Sequence, residues 1–325
     1  MSRRFRVLCM ADVSACPEAL DPLREVAQVD VVPADRQVLV SSIGAYDAYF
    51  ATLGVQVDAE VLARAGPPYG RLRAIATPST GTDHLDLERA RQLGIEVLSN
   101  KTDYELLDRI TATAEMAWCL LLAAVRRLPW AFDAARQGEW ARDRFRGHQL
   151  AYKTLGILGY GRLGRMVAQY GLAFRMRVIA CDIRPFEAEH VRQVDLDTLL
   201  RESDVISIHV HLDETTRGMI GRREFALMRD GVVIVNTSRG AVINEDDFLE
   251  ALRSGKVGAA GVDVIEGEWR TDLHEHPLVR YARQHDNLVI SPHVGGVTLE
   301  SQRMAYTHTA RKLAAFLQSL GKGTP

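Results

Sequence analysis

The stretch that most constrains this chain is Lys153-Thr-Leu-Gly-Ile-Leu-Gly-Tyr-Gly-Arg-Leu-Gly164, which runs into the apolar, helix-like segment Arg165 to Phe174. Residues 154–158 read as a short buried strand, Gly159, Gly161 and Gly164 form G-x-G-x-x-G, and helical spacing follows. Strand, tight turn and helix therefore arrive in the order a dinucleotide site requires. The first glycine lets the chain turn, the second admits a pyrophosphate against the backbone, and the third permits close packing of helix on strand. The helix N-terminus adds free N–H groups and a partial positive charge. A second strand, Arg177 to Cys181, ends at Asp182, where a carboxylate can accept hydrogen bonds from the adenosine ribose and repel a 2′-phosphate. Arg184, two residues on, is the one group placed to counter that preference.

A chain of 325 residues is long for a single core and suits two lobes. With 40 Lys and Arg against 42 Asp and Glu, the net charge of −2 argues against a strongly basic nucleic-acid surface. Cys9, Cys16, Cys119 and Cys181 show no C-x-x-C spacing and read as reduced thiols of a cytoplasmic protein. The longest apolar run, Met116 to Val125, is far too short to span a bilayer, and the basic N-terminus lacks the apolar core of a signal peptide.

The first hundred residues alternate strand-like and helix-like pieces. Strands are expected at Phe5 to Met10, Val29 to Val32, Ala48 to Thr52, Arg73 to Pro78 and Ile95 to Ser99. Helices are expected near Pro17 to Ala27, around Val38, from Asp58 to Ala65 and from Leu85 to Leu93. Residues 109–136 form a long apolar helical region broken by Pro129. The alternation then resumes, with strands at 154–158, 177–181, 205–210, 232–236, 259–264 and 287–291, and closes on a helix from Thr298 to Leu317 that returns to the first lobe. Such repetition implies parallel sheets covered by helices. In open parallel sheets ligands bind beyond the carboxyl ends of the strands. Asp182, Asn236-Thr-Ser-Arg239, Asp263 and Ser291-Pro-His293 all fall there.

These residues carry a resemblance. Ser79-Thr-Gly-Thr-Asp83-His-Leu-Asp86, Ala114-Glu115, the glycine turn, Asn236-Thr-Ser-Arg-Gly240, Gly261-Val-Asp-Val-Ile-Glu-Gly-Glu268 and Ser291-Pro-His-Val-Gly-Gly296 are similar to the D-isomer-specific 2-hydroxyacid dehydrogenases over nearly the whole chain. The resemblance implies an α/β protein of two Rossmann-like or flavodoxin-like parallel-sheet domains with a cleft between them. Residues 1–103 with 299–325 would form the substrate domain and 104–298 the NAD-binding Rossmann domain. It implies NAD as cofactor, a small 2-oxo or 2-hydroxy acid as substrate, a homodimer, and no metal. Arg239, Glu268 and His293 become the catalytic trio. Cofactor contacts fall to Gly159, Gly161, Arg162, Leu163, Gly164, Asp182, His209, Thr216, Thr237 and Asp263. Substrate contacts fall to Ser79, Thr80, Gly81, Asn100, Arg239 and His293, with the backbone of 79–81 cradling a carboxylate.

The chemistry asks for these residue types independently of the name. A 2-oxo acid presents a carboxylate and a carbonyl side by side, and a planar guanidinium can bridge both while polarising the carbonyl. Hydride arriving at C2 leaves an alkoxide that needs a proton, and a histidine supplies one near neutral pH, its ordinary pKa being about 6.5. A carboxylate at Glu268 orients that histidine and favours its charged form.

Departures from the family pattern are equally specific. His211 and Trp269 stand where prolines are usual, and residues 101–110 lengthen one connection. The segment Trp269 to His276 reads as a surface loop, its His274-x-His276 pair lacking a third metal ligand. The Phe50 to Val57 stretch lacks the arginines that phosphoglycerate dehydrogenases of this family use. Two further readings remain at this level: a nucleotide-sensing, corepressor-like interaction protein on the same fold, and a formate-type dehydrogenase, against which Glu268 speaks because those relatives carry Gln there. The apolar helix at 111–125 and the Trp130 to Arg146 segment are the candidate dimer surface.

Overall fold

Short runs of Val, Ile, Leu and Ala with no polar alternation are what strands covered on both faces look like, and they dominate the computed structural model, which describes residues 4–321. Contacts divide the chain into two compact units, one of residues up to Ile110 and from Val297 onward, the other of Thr111–Gly296.

The first unit holds β1 (Phe5–Cys9), β2 (Ala27–Val31), β3 (Ala48–Phe50), β4 (Ala74–Ala76) and β5 (Glu96–Leu98). Their order in the sheet is β2-β1-β3-β4-β5, and all neighbours pair in parallel. This is the flavodoxin-like order, with its reversal between β1 and β3. The terminal helix Leu299–Gly321 covers one face by a stripe of Ala310, Leu313, Ala314 and Leu317, all buried among Val7, Cys9 and Phe50. The stripe repeats at three- and four-residue steps, as an amphipathic helix must. Residues 101–110 also belong to this unit, where Asp103 ties them to the same helix through Lys312 at 2.8 Å and His308 at 3.0 Å.

The second unit holds β6 (Thr154–Leu158), β7 (Arg177–Cys181), β8 (Val191–Gln193), β9 (Val205–Ile208), β10 (Val232–Asn236), β11 (Val257–Val262) and β12 (Leu288–Ile290). Its sheet runs β12-β11-β10-β9-β6-β7-β8, parallel throughout. The chain winds outward from β6 in one direction and then, from β9, in the other. The doubly wound, Rossmann-like architecture follows, and its switch point lies between β6 and β9.

Several boundaries differ from the sequence pattern for local reasons. Between Pro17 and Ala27 only a 3-10 turn, Pro17–Leu20, and a short helix, Asp21–Arg24, form, because Ala27 is already paired with Phe5. The long apolar helix ends at Val125, and the break is made by Arg127 in the left-handed region at φ 52°, not by Pro129. Pro129 sits in the first turn of the next helix, Leu128–Arg136, where its missing N–H costs nothing. The edge strand β8 has no counterpart in the sequence pattern: one buried residue, Val191, precedes two exposed ones.

The helix Ala112–Val125 lies against β11 so closely that a Cβ at Gly261 would stand 2.8 Å from Leu120 Cβ and 2.9 Å from its carbonyl oxygen. Overpacking of this kind costs about 1–3 kcal/mol. Gly261→Ala is therefore expected to lower the urea midpoint of the second unit. An unchanged midpoint would show that this contact yields without cost.

Candidate active site

The glycine turn leaves β6 with Gly159 at φ 92°, a conformation that L side chains rarely adopt, and the helix Arg162–Ala173 begins three residues later. Gly164 is buried in its first turn, and Leu163 packs on the core beneath. Asp182, just beyond β7, accepts from Tyr160 N–H at 2.7 Å and from Arg184 N–H at 2.9 Å. The carboxylate thus closes the glycine turn from the neighbouring strand.

Two observations test whether a dinucleotide fits this edge. A Cβ at Gly161, the N-cap of the helix, would meet nothing within 4 Å, so open space lies over the helix N-terminus. Among the described residues, His209 Nδ1 and Thr237 Oγ1, just past β9 and β10, are buried polar atoms without a protein partner. Polar atoms are seldom left so unless a ligand or water completes them. Burial holds His209 neutral, pushing it down to about 4, while its Nε2 is 2.8 Å from Ser207 Oγ. These features fit NAD. Thr216 is different: its hydroxyl donates to the His211 carbonyl at 2.6 Å and closes its own turn.

The ends of β10 and β11 carry Arg239 and Asp263. Arg239 follows β10 on a sharp turn, held by Asn236 Nδ2 donating to the Arg239 carbonyl at 2.9 Å, and its Nη1 donates to Ser238 O at 2.8 Å. Asp263, buried at the end of β11, accepts from Ser291 Oγ at 2.5 Å, Val294 N–H at 2.9 Å and Gly295 N–H at 2.7 Å. Its own carbonyl takes the His293 N–H at 2.9 Å. One residue thereby organises the loop beyond β12, in which His293 sits at φ 55°. Strained backbone of this sort costs of order 1–3 kcal/mol and persists where its surroundings enforce it.

His293 Nδ1 is 2.5 Å from Glu268 Oε1, with each side chain only 17% exposed. Glu266, the other acid in the loop, turns outward to Arg217 at 3.0 Å. The Trp269 ring lies 5.9 Å from that of His293. A cavity of about 470 Å³ adjoins the pair, lined mainly by apolar groups including Trp130, Trp269, Leu273 and Ile290.

The reading of Trp269 to His276 as a surface loop needs correction. Trp269 to Glu275 are at least partly exposed, but His276 is buried, its Nδ1 capping the helix Pro277–Ala282. In the sequence His276 stands out only as half of a metal pair without a third ligand, and Glu245 only as an acid in the first turn after the Asn244 cap. Only the tertiary contacts single them out.

In the first unit, the Ser79 hydroxyl donates to Gly81 O at 2.6 Å and shapes the loop that holds Thr80. Asn100, buried, donates its N–H to Ser79 O at 3.0 Å and receives Thr309 Oγ1 at 3.0 Å, while its Nδ2 has no partner among the described residues.

A switch-point glycine turn closed by an acid from the next strand and a histidine–carboxylate pair on the same sheet edge are features of a dinucleotide-dependent dehydrogenase. Residues 118–295 match the family described as D-isomer specific 2-hydroxyacid dehydrogenase, NAD binding domain. The chain is 37% identical to a hydroxypyruvate reductase of Thermotoga maritima over 89% of its own length and 91% of that protein. It is 38% identical to a glyoxylate reductase of Aeropyrum pernix, over 99% and 95% of the two chains. The D-lactate dehydrogenase of Aquifex aeolicus, solved with NAD and lactic acid, superposes with a TM-score of 0.83 at 28% identity, covering 97% and 96%. The chain belongs to the D-isomer-specific 2-hydroxyacid dehydrogenase family of NAD-dependent oxidoreductases.

Asp263 generates a test. In Asp263→Asn one carboxylate oxygen becomes an NH2 group facing donors, and a mismatched buried group of this kind costs about 1–3 kcal/mol. The variant is expected to lose at least tenfold in kcat with the chain still folded, about 1.4 kcal/mol in barrier terms. Wild-type kcat would remove Asp263 as the organiser of the His293 loop.

Proposed function

We propose that the protein reduces a small 2-oxo acid of the glyoxylate or hydroxypyruvate kind to its D-2-hydroxy acid. The substrate class follows the relatives just named, and the observation that carries the catalytic assignment is the His293–Glu268 hydrogen bond. NADH, when bound along residues 159–164 with Asp182 at its ribose, supplies the hydride. Arg239 bridges the substrate carboxylate and the C2 carbonyl, drawing charge towards the oxygen. Protonated His293 gives up its proton to that oxygen as the alkoxide forms, and Glu268 accepts from Nδ1–H, so the transferring nitrogen is Nε2. In the opposite direction the neutral ring takes the hydroxyl proton.

Thr216 and Arg162 complete the cofactor contacts in this reading, and His209, Thr237 and Asp263 line the nicotinamide end. The second unit serves as the NAD-binding domain, and the first unit recognises the substrate through Ser79, Thr80, Gly81 and Asn100. Asp182 favours NAD(H) over NADP(H). A homodimer is supported by Phe132 and Trp140, 63% and 88% exposed on the segment after Arg127. A cytoplasmic setting is supported by four free cysteines, of which only Cys119 is well exposed. No described helix is long and apolar enough to cross a membrane.

Activity is to be measured with NADH against glyoxylate, hydroxypyruvate, pyruvate, 2-oxoglutarate and phosphorylated analogues. The first two are expected to be the best substrates. Arg239→Lys keeps the charge but loses the fork, and removal of such a charge-stabilising donor costs on the order of 10²-fold or more in kcat. The sign of the electrostatic effect sets the pH profiles. Loss of the Glu268 charge in Glu268→Gln disfavours imidazolium, so the alkaline limb for reduction and the acidic limb for oxidation both move to lower pH. Limbs that stay in place while His293→Ala is inactive would leave His293 catalytic and remove Glu268 as its partner.

A further inference from the structure

Outside the residues assigned above, the second unit contains a buried histidine paired with a partly buried carboxylate that the proposed chemistry does not use. Glu245 opens the helix Glu245–Arg253, and His276 precedes the helix Pro277–Ala282. Glu245 Oε1 accepts the Glu266 N–H at 2.7 Å. His276 Nε2 lies 3.1 Å from the Glu266 carbonyl and 3.1 Å from Glu245 Oε2. The His276 tautomer follows from its other side. Nδ1 accepts the Leu278 N–H at 3.3 Å, so the ring proton is on Nε2 and points at Glu266 and Glu245. The side chains are 4% and 19% exposed.

We propose that Glu245 and His276 are positioning residues for the proton-transferring pair: they grip the backbone N–H and the carbonyl of Glu266 and so set the direction from which Glu268 meets His293. This rests on the roles given to Glu268 and His293 under the proposed function. The geometry of the loop explains why a grip is needed. Glu268 lies two residues beyond Glu266, across Gly267 at φ 70°. Apart from His293, the one further group that Glu268 meets among the described residues is distant, Ile265 N–H to Oε2 at 3.4 Å. The Glu266 side chain cannot serve as an anchor, since it reaches outward to Arg217 with both groups more than half exposed. The Glu266 backbone also touches the Arg239 turn. A Cβ at Gly240 would stand 2.2 Å from Glu266 N, so the turn behind Arg239 and the peptide ahead of Glu268 are in direct contact. Holding that peptide therefore holds both Arg239 and Glu268.

Partial burial, with the nearby Glu266, Asp246 and Glu268, pushes Glu245 up to about 7. Burial also lowers His276, with Arg270 acting in the same direction, which agrees with a neutral ring. Desolvation of this size is a stability cost that a purely structural contact would avoid with apolar side chains. The pair's position beside the catalytic loop fits a requirement for directed hydrogen bonds.

The test compares Glu245→Ala, Glu245→Gln, His276→Asn and Glu268→Gln in the full-length protein. His276→Asn is the discriminating variant. Asn is a strong N-cap and keeps the acceptor for Leu278 N–H, but it is too short to reach the Glu266 carbonyl. Glu245→Gln keeps an acceptor for the Glu266 N–H. Misplacement of a catalytic group costs on the order of ten- to a hundredfold, and that loss in kcat/KM is expected for Glu245→Ala and His276→Asn, with KM for NADH unchanged. Their alkaline limbs for reduction move to lower pH, as in Glu268→Gln, and Glu245→Gln recovers most of the lost rate. Should Glu245→Ala fail to fold, His276→Asn decides alone. A wild-type rate and profile in His276→Asn, with Glu268→Gln shifted, overturns the positioning role and leaves the proposed function intact. An unshifted Glu268→Gln overturns the role of Glu268 and the clamp together.

Discussion

The second unit depends most on the carboxylate of Asp263. It ends β11, yet the groups it binds belong to the loop beyond β12, so one buried side chain ties two strand ends together. Three donors on one carboxylate satisfy a charge that burial would otherwise penalise. The positive φ of His293 is a consequence, since the chain must reverse to present Val294 N–H and Gly295 N–H to the same acceptor. The histidine is therefore oriented by backbone geometry before any side-chain partner acts. Glu268 then fixes which ring nitrogen carries the proton facing it.

Much of this was legible from residue patterns because its physics is local. The glycine turn, the Asp182 position and the strands at 154–158, 177–181 and 232–236 follow from runs of adjacent residues, and their boundaries agree with the structure. Gathering of Asp182, Arg239, Asp263 and the His293 loop at strand ends follows from parallel winding alone. What the pattern could not supply was tertiary. Nothing in the sequence marks Glu245, and His276 falls in a segment that reads as a surface loop, because the contact that links them spans 31 positions, from 245 to 276. The sequence points to Pro129 for the helix break that Arg127 makes, since a left-handed arginine leaves no mark in sequence whereas proline does.

Function here grades from fold to substrate with falling resolution. The sheet order and glycine turn fit NAD, and the proposed acid–base chemistry rests on the histidine–carboxylate pair. His211 and Trp269 stand where the family resemblance leads one to expect proline. Trp269 lies beside His293 and on the wall of the apolar cavity, so it alters the surroundings of the reactive ring without altering the ring's hydrogen bonds.

The most direct test of the central claim follows the hydride itself. With NADH carrying deuterium at the transferable C4 position, the 2-oxo acid turned over fastest is reduced, and the product is examined for label and configuration. The account predicts deuterium bonded to C2 of a D-configured 2-hydroxy acid, with the hydroxyl proton drawn from solvent by way of His293. An L-configured product, or a C2 hydrogen derived from solvent, would contradict it.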